Sequence, residues 1–126
     1  MAKILIIEDE ADVIKMLRKR LADNGYETLT ADNAGEGMKL VLSDKPDMIL
    51  LDLKLPAGGG LSILRSLKMS AETRDIPVIV ITGMKKEEVK NFAMREGAAG
   101  YIEKPYDPQV LMATIRTILQ KRTGAA

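Results

Sequence analysis

The sequence predicts an α/β fold, a doubly wound five-stranded parallel sheet in the order 2-1-3-4-5 flanked by five helices. Short apolar runs alternate five times with stretches of helical periodicity, the signature of strands joined by crossover helices. The first, third and fourth runs are continuously apolar, as strands covered on both faces must be. The second and fifth are more polar or shorter, which suits sheet edges. That ranking places the topological switch point between the first and third strands.

"ILII" (4–7) is a branched run of buried-strand length. Val13, Ile14, Leu17 and Leu21 then share one helical face, and Asn24-Gly25 is a helix stop signal. "YETLTA" (26–31) reads as the polar strand. Asn33 with Glu36 reads as a capping box for a helix burying Ala34, Met38 and Val41. "MILL" (48–51) is the third strand. The glycine-rich "KLPAGGG" leads into a helix with Leu61, Leu64, Leu67 and Lys68 at helical spacing. "PVIVIT" (77–82) is the fourth strand, and Gly97 closes a helix built on Val89, Phe92 and Ala93. "GYI" (100–102) is the fifth. Asp107-Pro108 supplies an N-cap with Pro at the first helical position, and Leu111, Ile115, Ile118 and Leu119 face inward from the last helix. Residues 1–121 are expected to form one domain, with 122–126 a flexible tail or the start of a linker.

These 126 residues suffice for one ordinary core. A net charge of +1 lacks the electrostatic footprint of a nucleic-acid binder, so direct nucleic-acid binding is not expected. Cysteine and histidine are both absent. That excludes disulfides, thiolate sites, His-based triads, imidazole zinc sites and an imidazole general base. Any metal must be a hard cation on oxygen ligands, and Mg²⁺ or Ca²⁺ fits best. "MAKILIIEDE" reads as neither signal peptide nor membrane span, so cytoplasm is the expectation.

The chemistry collects where the strands end. Ligands of open α/β sheets bind beyond the carboxyl ends of the strands at the switch point. The first strand ends in Glu8-Asp9 and the third in Asp52, so three carboxylates from distant parts of the chain should converge at the sheet's wet rim. Like charges at that spacing repel by about 1–4 kcal/mol per pair, and a divalent cation such as Mg²⁺ relieves the repulsion. Thr82 ends the fourth strand and Lys104 follows the fifth. Taken singly, Asp52 could be a cap, Thr82 structural and Lys104 a solvated surface group. Together they suit phosphoryl transfer. Cation, hydroxyl and ammonium neutralise the phosphoryl oxygens while a carboxylate, best Asp52, attacks in line without needing a general base.

With these residues in place, the chain resembles the receiver domain of two-component response regulators, the chemotaxis regulator among them, over roughly residues 3 to 121. The resemblance rests on Glu8-Asp9, "LLDLKLP" around Asp52, "VIVITG" with Thr82, and "GYIEKPY" with Tyr101 and Lys104-Pro105, all in order. It implies a flavodoxin-like fold and a Mg²⁺-dependent transfer to Asp52 from a histidine kinase or histidine phosphotransfer protein. The domain would be a signalling phospho-acceptor that assists its own phosphorylation and dephosphorylation, not a conventional enzyme. Asp9, Asp52 and the main-chain carbonyl of Lys54 would ligate the metal, with Glu8 acting mainly through water. Lys104 and Thr82 would hold the phosphoryl group. Tyr101 would follow Thr82 inward and alter the face of helix four, strand five and helix five, although an ordinary half-buried aromatic is the alternative. An output domain, a downstream protein or a phosphorylation-dependent homodimer would receive the signal.

Two departures stand out. Ala57-Gly58-Gly59-Gly60 occupies a loop where the family often carries an acid or Asn before the last glycine, which suggests mobility. Lys54 and Met84, two residues past Asp52 and Thr82, offer no acid or amide to orient a hydrolytic water, so slow self-dephosphorylation is expected. Two rivals fit poorly. An FMN module would need a phosphate-binding loop where Glu8-Asp9-Glu10 stands, and a haloacid-dehalogenase-like phosphatase usually needs a second Asp where Lys54 stands. A pseudo-receiver that accepts no phosphate and acts only as an interaction module is the remaining alternative. Lys85, Lys86 and Lys90 read as a solvated face rather than a docking site.

Overall fold

A computed structural model describes residues 1–54 and 59–122. The elements follow in strict alternation: β1 (Lys3–Ile7), α1 (Ala11–Asp23), β2 (Glu27–Ala31), α2 (Ala34–Asp44), β3 (Met48–Leu51), α3 (Gly59–Met69), β4 (Val78–Thr82), α4 (Glu87–Arg95), β5 (Gly100–Glu103) and α5 (Pro108–Arg122). The sheet runs β2-β1-β3-β4-β5 with every pair parallel. No described helix is long and apolar enough to cross a membrane.

Strand periodicity explains the unbroken apolar runs. Successive side chains point to opposite faces, so a central strand needs both parities apolar. Leu5, Ile7, Ile49, Leu51, Val78 and Val80 face one layer, where Val41, Leu64, Leu67 and Ala93 from α2, α3 and α4 meet them. Ile4, Ile6, Met48, Leu50, Ile79 and Ile81 face the other, against Leu17, Leu21, Leu111, Met112 and Ile115 from α1 and α5. Met112, not anticipated, joins this second core.

The helix ends follow the sequence signals with some additions. Asn33 caps α2, its side chain accepting the Glu36 N–H at 2.9 Å. Gly25 adopts a left-handed φ of 85° after α1, where glycine carries no Cβ penalty. The Asp107 carboxylate accepts the Gln109 N–H at 2.8 Å at the start of α5. Beyond α3, the buried Thr73 hydroxyl donates to the Leu67 carbonyl at 2.6 Å. Lys68 Nζ donates to the carbonyls of Arg74 and Ile76. The ammonium thus ties the loop back to its helix, and burial pulls the Lys68 amine below its ordinary value.

Two expectations change. Gly59 and Gly60 open α3 and are not part of a mobile loop; Ala57 and Gly58 lie outside the described residues. The expected tail began at Arg122, but α5 runs through it. Its guanidinium donates to the Asp47 carbonyl and meets the Asp47 carboxylate at 3.1 Å. The other Asp47 carboxylate oxygen accepts the Lys3 N–H at 2.7 Å, joining the end of α5 to the start of β1. Residues 123–126 lie outside the described residues.

Thr73→Val keeps the shape of the Thr73 side chain but strands the Leu67 carbonyl. Urea unfolding should show a loss of about 1–2 kcal/mol, with the slope unchanged.

Candidate functional site

The ladder of the sheet extends one residue past the strands and carries the polar side chains with it. Glu8 N–H donates to Ala31 O at 3.0 Å, Asp52 N–H to Ile7 O at 3.0 Å, and Lys104 N–H to Thr82 O at 2.8 Å. Each backbone is therefore held by a neighbouring strand at the point where its side chain leaves the core.

Lys104 Nζ lies 2.8 Å from Glu8 Oε1 and 3.3 Å from Asp52 Oδ2. Asp52 was expected at a wet rim. Instead it is 3% exposed, and Glu8 2%. The cost of removing these carboxylates from water is met by an ammonium and by main-chain amides. Glu8 Oε2 accepts the N–H groups of Asp9 at 3.1 Å and Glu10 at 3.3 Å, while Asp52 Oδ1 accepts Lys54 N–H at 3.0 Å.

One ammonium for two buried acids leaves negative charge over. Burial pushes the Glu8 carboxyl from 4.5 up to about 7; the bond from Lys104 opposes this, and Asp52 adds to it. For Lys104, burial pulls downward, but the bond to Glu8 and the charge of Asp52 together outweigh it and raise the amine.

The carboxylates of Glu8, Asp9 and Glu10 offer oxygen atoms all within 4.8 Å of one another, with Glu8 buried and the other two exposed. Glu10 was not singled out from the sequence, although its place in the unbroken Glu8-Asp9-Glu10 run was the available signal. Asp52 stands outside that trio, beside Glu8 and sharing Lys104 with it. An all-oxygen donor set with excess negative charge fits a hard divalent cation such as Mg²⁺.

Thr82 is fully buried at the end of β4, where its Oγ1 accepts the Met84 N–H at 3.2 Å. The hydroxyl keeps its own proton for donation. Tyr101 O–H donates to the Met84 carbonyl at 3.0 Å, so Thr82 and Tyr101 grip the same residue from two sides. Lys54 is exposed, and its Nζ lies 3.6 Å from the position a Cβ on Gly83 would take.

The sequence profile of the response regulator receiver domain matches residues 4–116. The chain is 38% identical to Protein PilH of Pseudomonas aeruginosa, covering 94% of this chain and 98% of PilH. It is 40% identical to the phosphate regulon transcriptional regulatory protein PhoB of the same species, covering 96% of this chain and 52% of PhoB. It thus spans nearly all of one relative and about half of the other. Among solved structures, a CheY-like receiver domain protein from Methanospirillum hungatei superposes with a TM-score of 0.92 at 28% identity, covering 100% of this chain and 99% of that one. A receiver domain protein from Clostridium thermocellum gives 0.91 at 31%, with both chains fully covered.

The raised Glu8 carboxyl has a defined consequence for stability. Between 4.5 and about 7 the folded chain holds this proton more readily than the unfolded chain. Without divalent cations, the Glu8 contribution should therefore favour the fold increasingly as pH falls from above 7 towards 4.5. The difference in unfolding free energy between wild type and Glu8→Gln, followed across that range, should show the slope; a difference independent of pH would refute it.

Proposed function

This chain belongs to the response regulator receiver domain family of two-component signalling, and from that premise we propose that Asp52 accepts a phosphoryl group from a histidine kinase or histidine phosphotransfer protein. Receiver domains are phospho-acceptors regulated by histidine kinases and are generally Mg²⁺-dependent. The observation that carries the reading for this chain is Lys104 Nζ poised 3.3 Å from the buried Asp52 carboxylate at the switch point of the sheet.

An ionised Asp52 oxygen attacks phosphorus, an O–P bond forms as the P–N bond of phosphohistidine breaks, and the electron pair leaves on the imidazole nitrogen. Lys104 already touches the nucleophile and holds charge against the incoming oxygens. Thr82 O–H donates to one of them once it turns from Met84. Asp9, Asp52 and the Lys54 main-chain carbonyl would hold Mg²⁺, with Glu8 reached through water. When bound, the ion supplies positive charge against the phosphoryl oxygens and the crowded carboxylates.

The grip on Met84 supplies the switch. A Thr82 hydroxyl recruited to the phosphoryl group releases the Met84 N–H, and the Tyr101 bond to the Met84 carbonyl adjusts with it, altering the surface of α4, β5 and α5. A local charge thereby biases an element with two arrangements. Lys54 and Met84 offer no acid or amide to orient a hydrolytic water, so the acyl phosphate is long-lived. The receiver unit includes α5 through Arg122, and an output domain or a separate downstream protein receives its signal. The setting is cytoplasmic.

Acetyl phosphate with Mg²⁺ should add one phosphoryl mass to the intact protein, and Asp52→Asn or removal of Mg²⁺ should abolish the addition. After the donor is removed, the adduct should persist for minutes or longer. No adduct on wild type would favour the pseudo-receiver, and decay within seconds would contradict the roles given to Lys54 and Met84.

A further inference from the structure

Gly60, the second residue of α3, sits against the turn that follows Asp52. A Cβ at Gly60 would stand 2.4 Å from Leu53 Cα, 2.7 Å from its carbonyl oxygen and 2.8 Å from its carbonyl carbon. All three are backbone atoms, so no rotamer change makes room. Gly37, by contrast, would meet side-chain atoms of Ile7, Cδ1 at 2.8 Å first, and Gly35 only Asn33 Oδ1 at 3.5 Å. Glycine is a poor helix residue. At Gly60 no left-handed φ requires it, and the space beside Leu53 does.

That contact closes a clamp. On one side α3 presses on the Leu53 backbone, while the Leu53 side chain is buried among Ile63 and Leu64. On the other, Asp52 N–H is bonded to Ile7 O at 3.0 Å, and Asp52 Oδ1 takes Lys54 N–H at 3.0 Å. Leu53 is thus the link between the start of α3 and the two residues that bracket it.

Resting on the reading of Asp52 as a phospho-acceptor beside a divalent cation, we propose that Gly60 is a positioning residue. Its missing side chain lets α3 lock Leu53, which aims the Asp52 carboxylate and the Lys54 carbonyl at the cation. An alanine would have to open the 2.4 Å approach beyond 3.0 Å, and to 3.4 Å for ordinary contact. A displacement of about 1 Å is enough to spoil a reacting geometry.

The test compares Gly60→Ala with Thr73→Val, which weakens the same helix at its far end. Acetyl phosphate labelling over a Mg²⁺ series gives the half-saturating Mg²⁺ concentration and the saturated rate. Gly60→Ala should raise the first about tenfold or more and lower the second, while Thr73→Val should leave both unchanged. Adding Leu53→Ala to Gly60→Ala should restore neither, because the obstruction is backbone. A folded Gly60→Ala chain with wild-type Mg²⁺ dependence overturns the proposal, as does an equal loss in Thr73→Val. If Gly60→Ala does not fold, wild-type amide resonances decide: Gly60 should shift with Lys54 over the same Mg²⁺ range. A silent Gly60 beside a responsive Lys54 overturns this proposal alone. A wild-type chain indifferent to Mg²⁺ overturns the phospho-acceptor reading with it.

Discussion

The structure turns on one ammonium group held between two buried carboxylates. Removing Glu8 and Asp52 from water is costly, and Lys104, the residue that follows β5, reaches both. Its single charge balances one of them. Burial raises the Glu8 carboxyl, Asp52 adds to that rise, and Asp9 and Glu10 crowd onto the same pole. A pole left in deficit of positive charge suits a divalent cation on one side and, once that charge arrives, an anionic phosphoryl group on the other. Stability and affinity pull in opposite directions here, as they often do where a fold keeps a reactive site.

The rest of the molecule makes that arrangement rigid. Parallel strands end in register at one pole, and their ladder bonds run on to Glu8, Asp52 and Lys104. The polar groups therefore leave backbone that is hydrogen-bonded into the sheet. Beside this pole, Thr82 at the end of β4 and Tyr101 in β5 hold one residue, Met84, by its N–H and its carbonyl. On the proposed reading, a charge appearing at Asp52 has a short mechanical path to the surface through them. The opposite pole is tied separately, by Asp47 between Lys3 and Arg122.

Much of this was legible in the sequence because it depends on local pattern. Parity along "ILII", "MILL" and "VIVIT" marked the central strands, and the composition of the outer two marked the edges. The ends of those strands then located Glu8, Asp9, Asp52, Thr82 and Lys104 at one pole without any knowledge of side-chain contacts. What escaped depends on distances across the fold. Glycines at 59 and 60 read as flexibility, because the backbone that Gly60 faces belongs to Leu53, outside its own helix. Arg122 looked like frayed chain because its partner, Asp47, is 75 residues away. The burial of Asp52 was missed for the same reason: a run of hydrophobicity shows where a strand stops, but the ammonium that lets burial continue one residue further comes from position 104. Glu10 was the exception, visible in the run and passed over.

The central claim is that Lys104 and Asp52 stabilise one another inside the fold. A double-mutant cycle of Lys104→Met and Asp52→Asn, read by urea unfolding at neutral pH without divalent cations, measures it directly. The account predicts that Lys104→Met costs more in wild type than in the Asp52→Asn background, by about 1 kcal/mol or more. Costs that add within error would mean that the two groups lie close together without interacting, and would contradict it.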